Sequence, residues 1–129
     1  MDTKDFTGWN AIKQEVDNAA HIPTFKEREI WWCKIGINVG HEADGKSRFY
    51  NRPVLIVKKF NSRIFWGVAM TTKIKEDPHY FLIDFQDRKQ CIMLSHLRLY
   101  DSKRLQGKMI GTLSHKQFEA VKTALKELL

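Results

Sequence analysis

A chain of 129 residues with 43% hydrophobic and 29% charged side chains suits one folded domain with its own core and excludes a disordered composition. Its 22 Lys and Arg outnumber 15 Asp and Glu, and the formal charge of +7 favours a polyanionic partner met through phosphate contacts. No apolar run approaches the roughly 18–20 residues that span a bilayer, and the start "MDTKDFTGWN" lacks the order of a secretory signal, so a cytoplasmic protein without a membrane span is expected.

The first 25 residues differ from the rest. Phe6, Trp9, Ile12, Val16 and Ala19 or Ala20 recur at three- and four-residue spacing, with Thr7 or Asp5 able to cap the start, and predict an amphipathic helix over 5–20. Lys4 and Lys13 stand there against Asp2, Asp5, Glu15 and Asp17, a net −2 that leaves +9 on the remainder. Pro23 then breaks the pattern.

Short runs rich in β-branched and aromatic residues follow: 29–35, 53–60, 63–71, 79–85 and 90–94. Asn61-Ser62 marks a tight connection, and 73–78 is a polar loop closed by Pro78. A short helical turn is expected from Asp101 over 101–107. Ser114 and Gln117 read as a capping box, ahead of a helix with the apolar stripe Phe118, Val121, Leu125 and Leu128. The plan is helix, about five strands and helix, which favours a small barrel over a parallel sheet. The stretch "VGHEADGKSRFYNR", 39–52, is longer than the two to five residues a hairpin needs and is a candidate site.

Cys33 and Cys91 sit in apolar runs without metal-ligand spacing and read as buried thiols, and His21, His41, His79, His96 and His115 show no ligand spacing. No cofactor or metal is expected. No phosphate-cradling glycine motif or nucleophile elbow is present. Trp31, Trp32 and Trp66 lie in expected strands, as core or with one ring exposed for base stacking. Arg52 precedes Pro53 at a strand mouth, with His41 and Glu42 in the loop before it and Thr71-Thr72 ending another strand. An arginine, a hydroxyl and nearby polar groups are what phosphodiester cleavage without metal needs: the guanidinium stabilises the phosphorane, while acid and base groups move protons. The other use of Arg52 is an ion pair with Glu42 that pins the loop.

These residues resemble the MazF/PemK (Kid-type) toxins of type II toxin–antitoxin systems. The resemblance rests on Glu29-Ile30-Trp31, on Gly40-His41-Glu42 with Gly45, and on Arg52-Pro53-Val54-Leu55-Ile56-Val57. It continues through "VAMTTKI" (68–74), "IMLSHLRLYDSKRL" (92–105) and the closing helix. It covers roughly residues 27–129 and implies a mainly β fold with helices: a small SH3-like (CcdB/PemK-type) barrel over 26–129 with a C-terminal helix. Residues 1–25 would be an N-terminal helical extension that packs on the barrel or, alternatively, lies as a negatively charged lid over the RNA site. It further implies a homodimer, a cognate antitoxin, and metal-independent, sequence-specific cleavage of single-stranded RNA to 2′,3′-cyclic phosphate and 5′-OH ends. Arg52 matches the catalytic arginine and Thr71 the catalytic or phosphate-contacting threonine. His41 and Glu42 match the loop that shapes the RNA groove, Arg98 matches a basic position near the active site, and Thr72 adjoins the matched threonine. The stretch "KSRFYN" lengthens the loop after Gly45. Ser95-His96 stands where many members carry a carboxylate followed by Gln, so His96 becomes the nearby proton-transfer candidate. Two rivals remain: a gyrase-directed toxin of the same fold, which would not need Arg52, and a non-catalytic nucleic-acid-binding descendant.

Overall fold

The computed structural model describes residues 23–35 and 51–129. The helix expected over 5–20 and the loop residues His41, Glu42 and Gly45 lie outside the described residues.

The described strands form one 7-stranded sheet. They are β1 (Glu29–Lys34), β2 (Asn51–Lys59), β3 (Ile64–Thr71), β4 (Tyr80–Phe85), β5 (Arg88–Met93), β6 (Arg98–Asp101) and β7 (Leu105–Thr112), followed by helix α1 (His115–Leu128). The order is β4-β5-β3-β2-β1-β7, with β6 also paired to β3, and every pairing is antiparallel. One edge of β3 therefore serves two neighbours. Met70 and Thr71 pair with β5, whereas Ile64 to Gly67 pair with β6.

The central strands are buried on both faces, which is why their sequences read as continuous apolar runs instead of alternating. Ile30, Leu55, Val68 and Met70 face a first core that α1 covers with Phe118, Val121 and Leu125. Trp31, Cys33, Val54, Ile56, Phe65 and Ala69 face a second, with Phe25, Met93, Tyr100 and Leu105. A side chain at Gly67 would put its Cβ 2.5 Å from Val54 Cγ1, so close packing across the β2–β3 pair requires glycine there.

Four expectations need correction. The sheet has two more strands than the sequence patterns marked, because β6 and β7 are short or glycine-rich and draw their extended form from pairing with β3 and β1. The turn after Asp101 is one short 3-10 helix, Ser102–Arg104, whose Lys103 backbone N–H donates to Asp101. The capping box is half formed: Ser114 Oγ accepts from the Gln117 backbone N–H at 3.1 Å, but Gln117 Nε2 donates to the Asp84 carbonyl of β4. Leu128 is exposed, so the buried stripe of α1 ends at Leu125.

β4 and β5 are joined by Gln86 and Asp87, both at positive φ (55° and 60°) as in a type I′ turn that matches strand twist. At the other tight connection, Asn61 Oδ1 accepts from the backbone N–H groups of Arg63 and Ile64. Among the described residues no helix is long and apolar enough to cross a membrane.

Candidate functional site

The N-terminal end of β2 brings the two leading candidates together. Arg52 lies opposite Cys33 of β1, and Thr71 lies opposite Cys91 of β5. The β2–β3 register pairs Val54 with Ala69; two residues further along each strand it aligns Arg52 with Thr71. Period-2 alternation then puts both on the face of the second core, at its open end. Pro53 sits where β2 is paired with β1 alone, since the β3 ladder starts at Val54, so its missing N–H costs no bond on that side.

Arg52 is half-buried, and its Nη1 makes a long, weak contact of 3.5 Å with the Met70 carbonyl at the end of β3. Thr71 is half-buried too. Its Oγ1 accepts from the Lys73 backbone N–H at 3.2 Å, which fixes the oxygen and leaves the hydroxyl hydrogen to donate. Thr72 is exposed one residue beyond. Ser95 and His96 are exposed on the 3-10 turn Leu94–His96, which carries the chain from β5 to β6, both neighbours of β3.

Two further arginines share this end of the sheet. Arg98 pairs with Gly67 and sets its guanidinium carbon 5.2 Å from the Tyr100 ring centroid. Arg104 donates from Nη1 to the Lys34 carbonyl at 3.0 Å. Burial raises the Tyr100 hydroxyl's pKa and Cys33 raises it further, whereas Arg98, Arg104 and Arg52 pull it back. The Cys33 thiol is pushed up to about 12, first by burial, with Arg104 and Arg98 opposing. Three cations therefore act on one small region, an arrangement suited to a backbone of phosphates.

Arg104 and Tyr100 were not among the candidates read from the sequence. The usable signal was the Asp101-Ser102 capping pattern, which turns the chain after β6 and returns Arg104 towards β1. Of the tryptophans, Trp31 is core, while Trp32 and Trp66 are 46% and 41% exposed. Both cysteines are free and buried, as expected.

The raised thiol carries a pH prediction. The folded Cys33 pKa lies above its ordinary 9.0, so the unfolded chain loses this proton first. Stability is unaffected by this group below pH 9.0 and is lost as pH climbs towards about 12, with Tyr100 acting in the same direction. Urea midpoints measured from pH 8 to pH 11 should fall, and Cys33→Ala should flatten the fall.

A family model described as a PemK-like, MazF-like toxin of type II toxin–antitoxin systems matches residues 26–129. No curated protein sequence matches the chain. Among solved structures, MazF from Deinococcus radiodurans superimposes with a TM-score of 0.65 at 15% identity, covering 82% of this chain and 96% of that one. An endoribonuclease in complex with its cognate antitoxin from a mycobacterial species gives 0.60 at 16% identity, covering 81% and 93%. The Mycobacterium tuberculosis toxin MazF-mt6 gives 0.58 at 17% identity, covering 78% and 94%. At these identities the likeness concerns the fold.

Proposed function

The chain belongs to the PemK-like, MazF-like toxins of type II toxin–antitoxin systems, and from that premise we propose that it is a metal-independent endoribonuclease acting on single-stranded RNA. The observation that carries the reading is the alignment of Arg52 with Thr71 at the open end of the second core, with Arg98 and Arg104 nearby. In this reading the Arg52 guanidinium neutralises charge on the pentavalent phosphate, where a planar donor fork suits two of its oxygens. The Thr71 hydroxyl donates to the scissile phosphate or orients the 2′-OH. Attack by the 2′-oxygen on phosphorus breaks the bond to the 5′-oxygen, so the products are a 2′,3′-cyclic phosphate and a 5′-OH. Proton transfer falls to His96, His41 or Glu42, with Ser95 and Thr72 as RNA contacts.

Arg98 and Arg104 bind flanking phosphates, so affinity falls with salt. The protein acts as a cytoplasmic homodimer restrained by a cognate antitoxin; one of the solved relatives is an endoribonuclease bound to its antitoxin. The test is incubation of the purified full chain with a long mixed-sequence RNA in EDTA, followed by mapping of cut positions and end chemistry. Discrete cuts with cyclic-phosphate ends are expected. Salt-sensitive binding without products would overturn the nuclease reading in favour of a non-catalytic binder, and gyrase inhibition without RNA cutting would favour the other toxin class.

A further inference from the structure

β6 has only four residues, and Tyr100 is its one buried side chain. Tyr100 pairs with Phe65 of β3, while Arg98, two residues earlier and so on the same face, pairs with Gly67. A Cβ at position 67 would lie 3.0 Å from Phe65 Cε2, so a side chain there would push into the ring on which Tyr100 rests. Glycine keeps that row clear.

The Tyr100 ring is held from within the second core. It stacks on Phe65 at 5.5 Å with 20° between the planes, and Phe65 meets Phe25 at 5.1 Å. All three rings are at most 2% exposed, and close packing fixes their planes. Arg98, itself exposed, sets its guanidinium carbon 5.2 Å from the Tyr100 centroid, within the range of a cation–π contact. An aromatic face engages a guanidinium without using its N–H donors, which stay available to a phosphate. Arg104 is held differently. Its Nη1 donates to the Lys34 carbonyl, and the Ser102 backbone N–H ties its turn to the Arg63 carbonyl at 2.7 Å.

We infer, resting on the nuclease reading, that Tyr100 is a positioning residue whose ring is the platform that orients the Arg98 guanidinium for a phosphate flanking the cut. Four residues of β3 separate Gly67, beside Arg98, from Thr71, about 13 Å along the strand. Arg98 therefore serves a neighbouring phosphate and not the scissile one. A free arginine side chain loses rotamer freedom when an anion captures it. Resting on Tyr100, it has lost part of that freedom before RNA arrives, and preorganisation of this kind is worth about three- to tenfold in affinity. The ring face does this, not the hydroxyl.

The first test needs no RNA. In the ¹⁵N spectrum of the full chain, the Arg98 Nε–H, assigned by its loss in Arg98→Lys, should be shifted upfield by the ring. The shift should persist in Tyr100→Phe and vanish in Tyr100→Leu. A wild-type resonance at the position of a free arginine overturns the inference, and this holds even if Tyr100→Leu fails to fold. The second test is binding of a mixed-sequence, fully 2′-O-methylated single strand, which cannot be cut through its 2′-oxygen. Tyr100→Leu should bind about three- to tenfold more weakly and Tyr100→Phe within about twofold of wild type. Arg98→Ala should cost less in the Tyr100→Leu background than alone, whereas Arg104→Ala should cost the same in both. Additive losses for Arg98 and Tyr100, or an equal change in the Arg104 effect, would make Tyr100 merely structural and overturn the proposal. If the wild-type chain binds no single strand, the nuclease reading falls, and the Nε–H resonance still decides whether Tyr100 holds Arg98.

Discussion

Arg52→Ala is expected to lower RNA cleavage about 100- to 1000-fold, the usual effect of removing one well-placed donor to a developing oxyanion, while the chain stays folded. The reason lies in how Arg52 is held. It is half-buried, and its contact with the Met70 carbonyl is long enough to contribute little to stability. Its positive charge instead reaches the open end of the second core, where Arg98 and Arg104 also act on Tyr100. Arg52→Lys should recover part of the rate, because the charge remains but the two-pronged geometry does not. Cleavage assays beside thermal melts decide the matter. An inactive variant with an unchanged melting temperature assigns Arg52 to the chemistry, whereas a collapse in stability would make it structural and sink the site assignment.

The second large effect is on stability. Phe65→Ala should destabilise the fold by about 3–5 kcal/mol, measured as a lower urea midpoint at unchanged slope. Phe65 is fully buried between two other rings, 5.1 Å from Phe25 and 5.5 Å from Tyr100. Truncation removes both ring contacts and leaves a cavity in the second core, which β2 and β3 cannot close because their registers are pinned by pairing. Against a total stability of about 5–15 kcal/mol this is a large share. A loss below about 1 kcal/mol would mean that the site collapses freely and that the second core is not a packed unit.

Legibility in the sequence followed the strength of local signals. β1, β2 and β3 were readable because Ile30 to Trp32, Val54 to Val57 and, around Gly67, Ile64 to Met70 form unbroken stretches without a charged side chain, rich in branched and aromatic residues. The start of β5 was not, since Arg88 and Lys89 resemble a loop until the Gln86-Asp87 turn pairs Arg88 with Phe85. β7 carries Gly107, Lys108 and Gly111, a poor strand composition that pairing with β1 overrides. Ser114 declared its helix correctly, but the Gln117 side-chain amide reaches across to donate to the Asp84 carbonyl of β4, a long-range contact that its motif does not specify.

By itself, the sequence determined the chemical inventory. It specified a basic body, two buried thiols, an arginine ahead of a proline-led strand, a hydroxyl pair ending another, and an acidic amphipathic segment ahead of Pro23. Those properties are local, and composition and spacing encode them directly. Only the tertiary structure decided that Arg52 and Thr71, 19 positions apart, lie level on one face, and that Arg104 returns to join Arg52 and Arg98. Strand register is set by long-range pairing and by burial of both faces of β2 and β3. A slip of one residue would turn Arg52 to the opposite face, and no short stretch of sequence carries that choice.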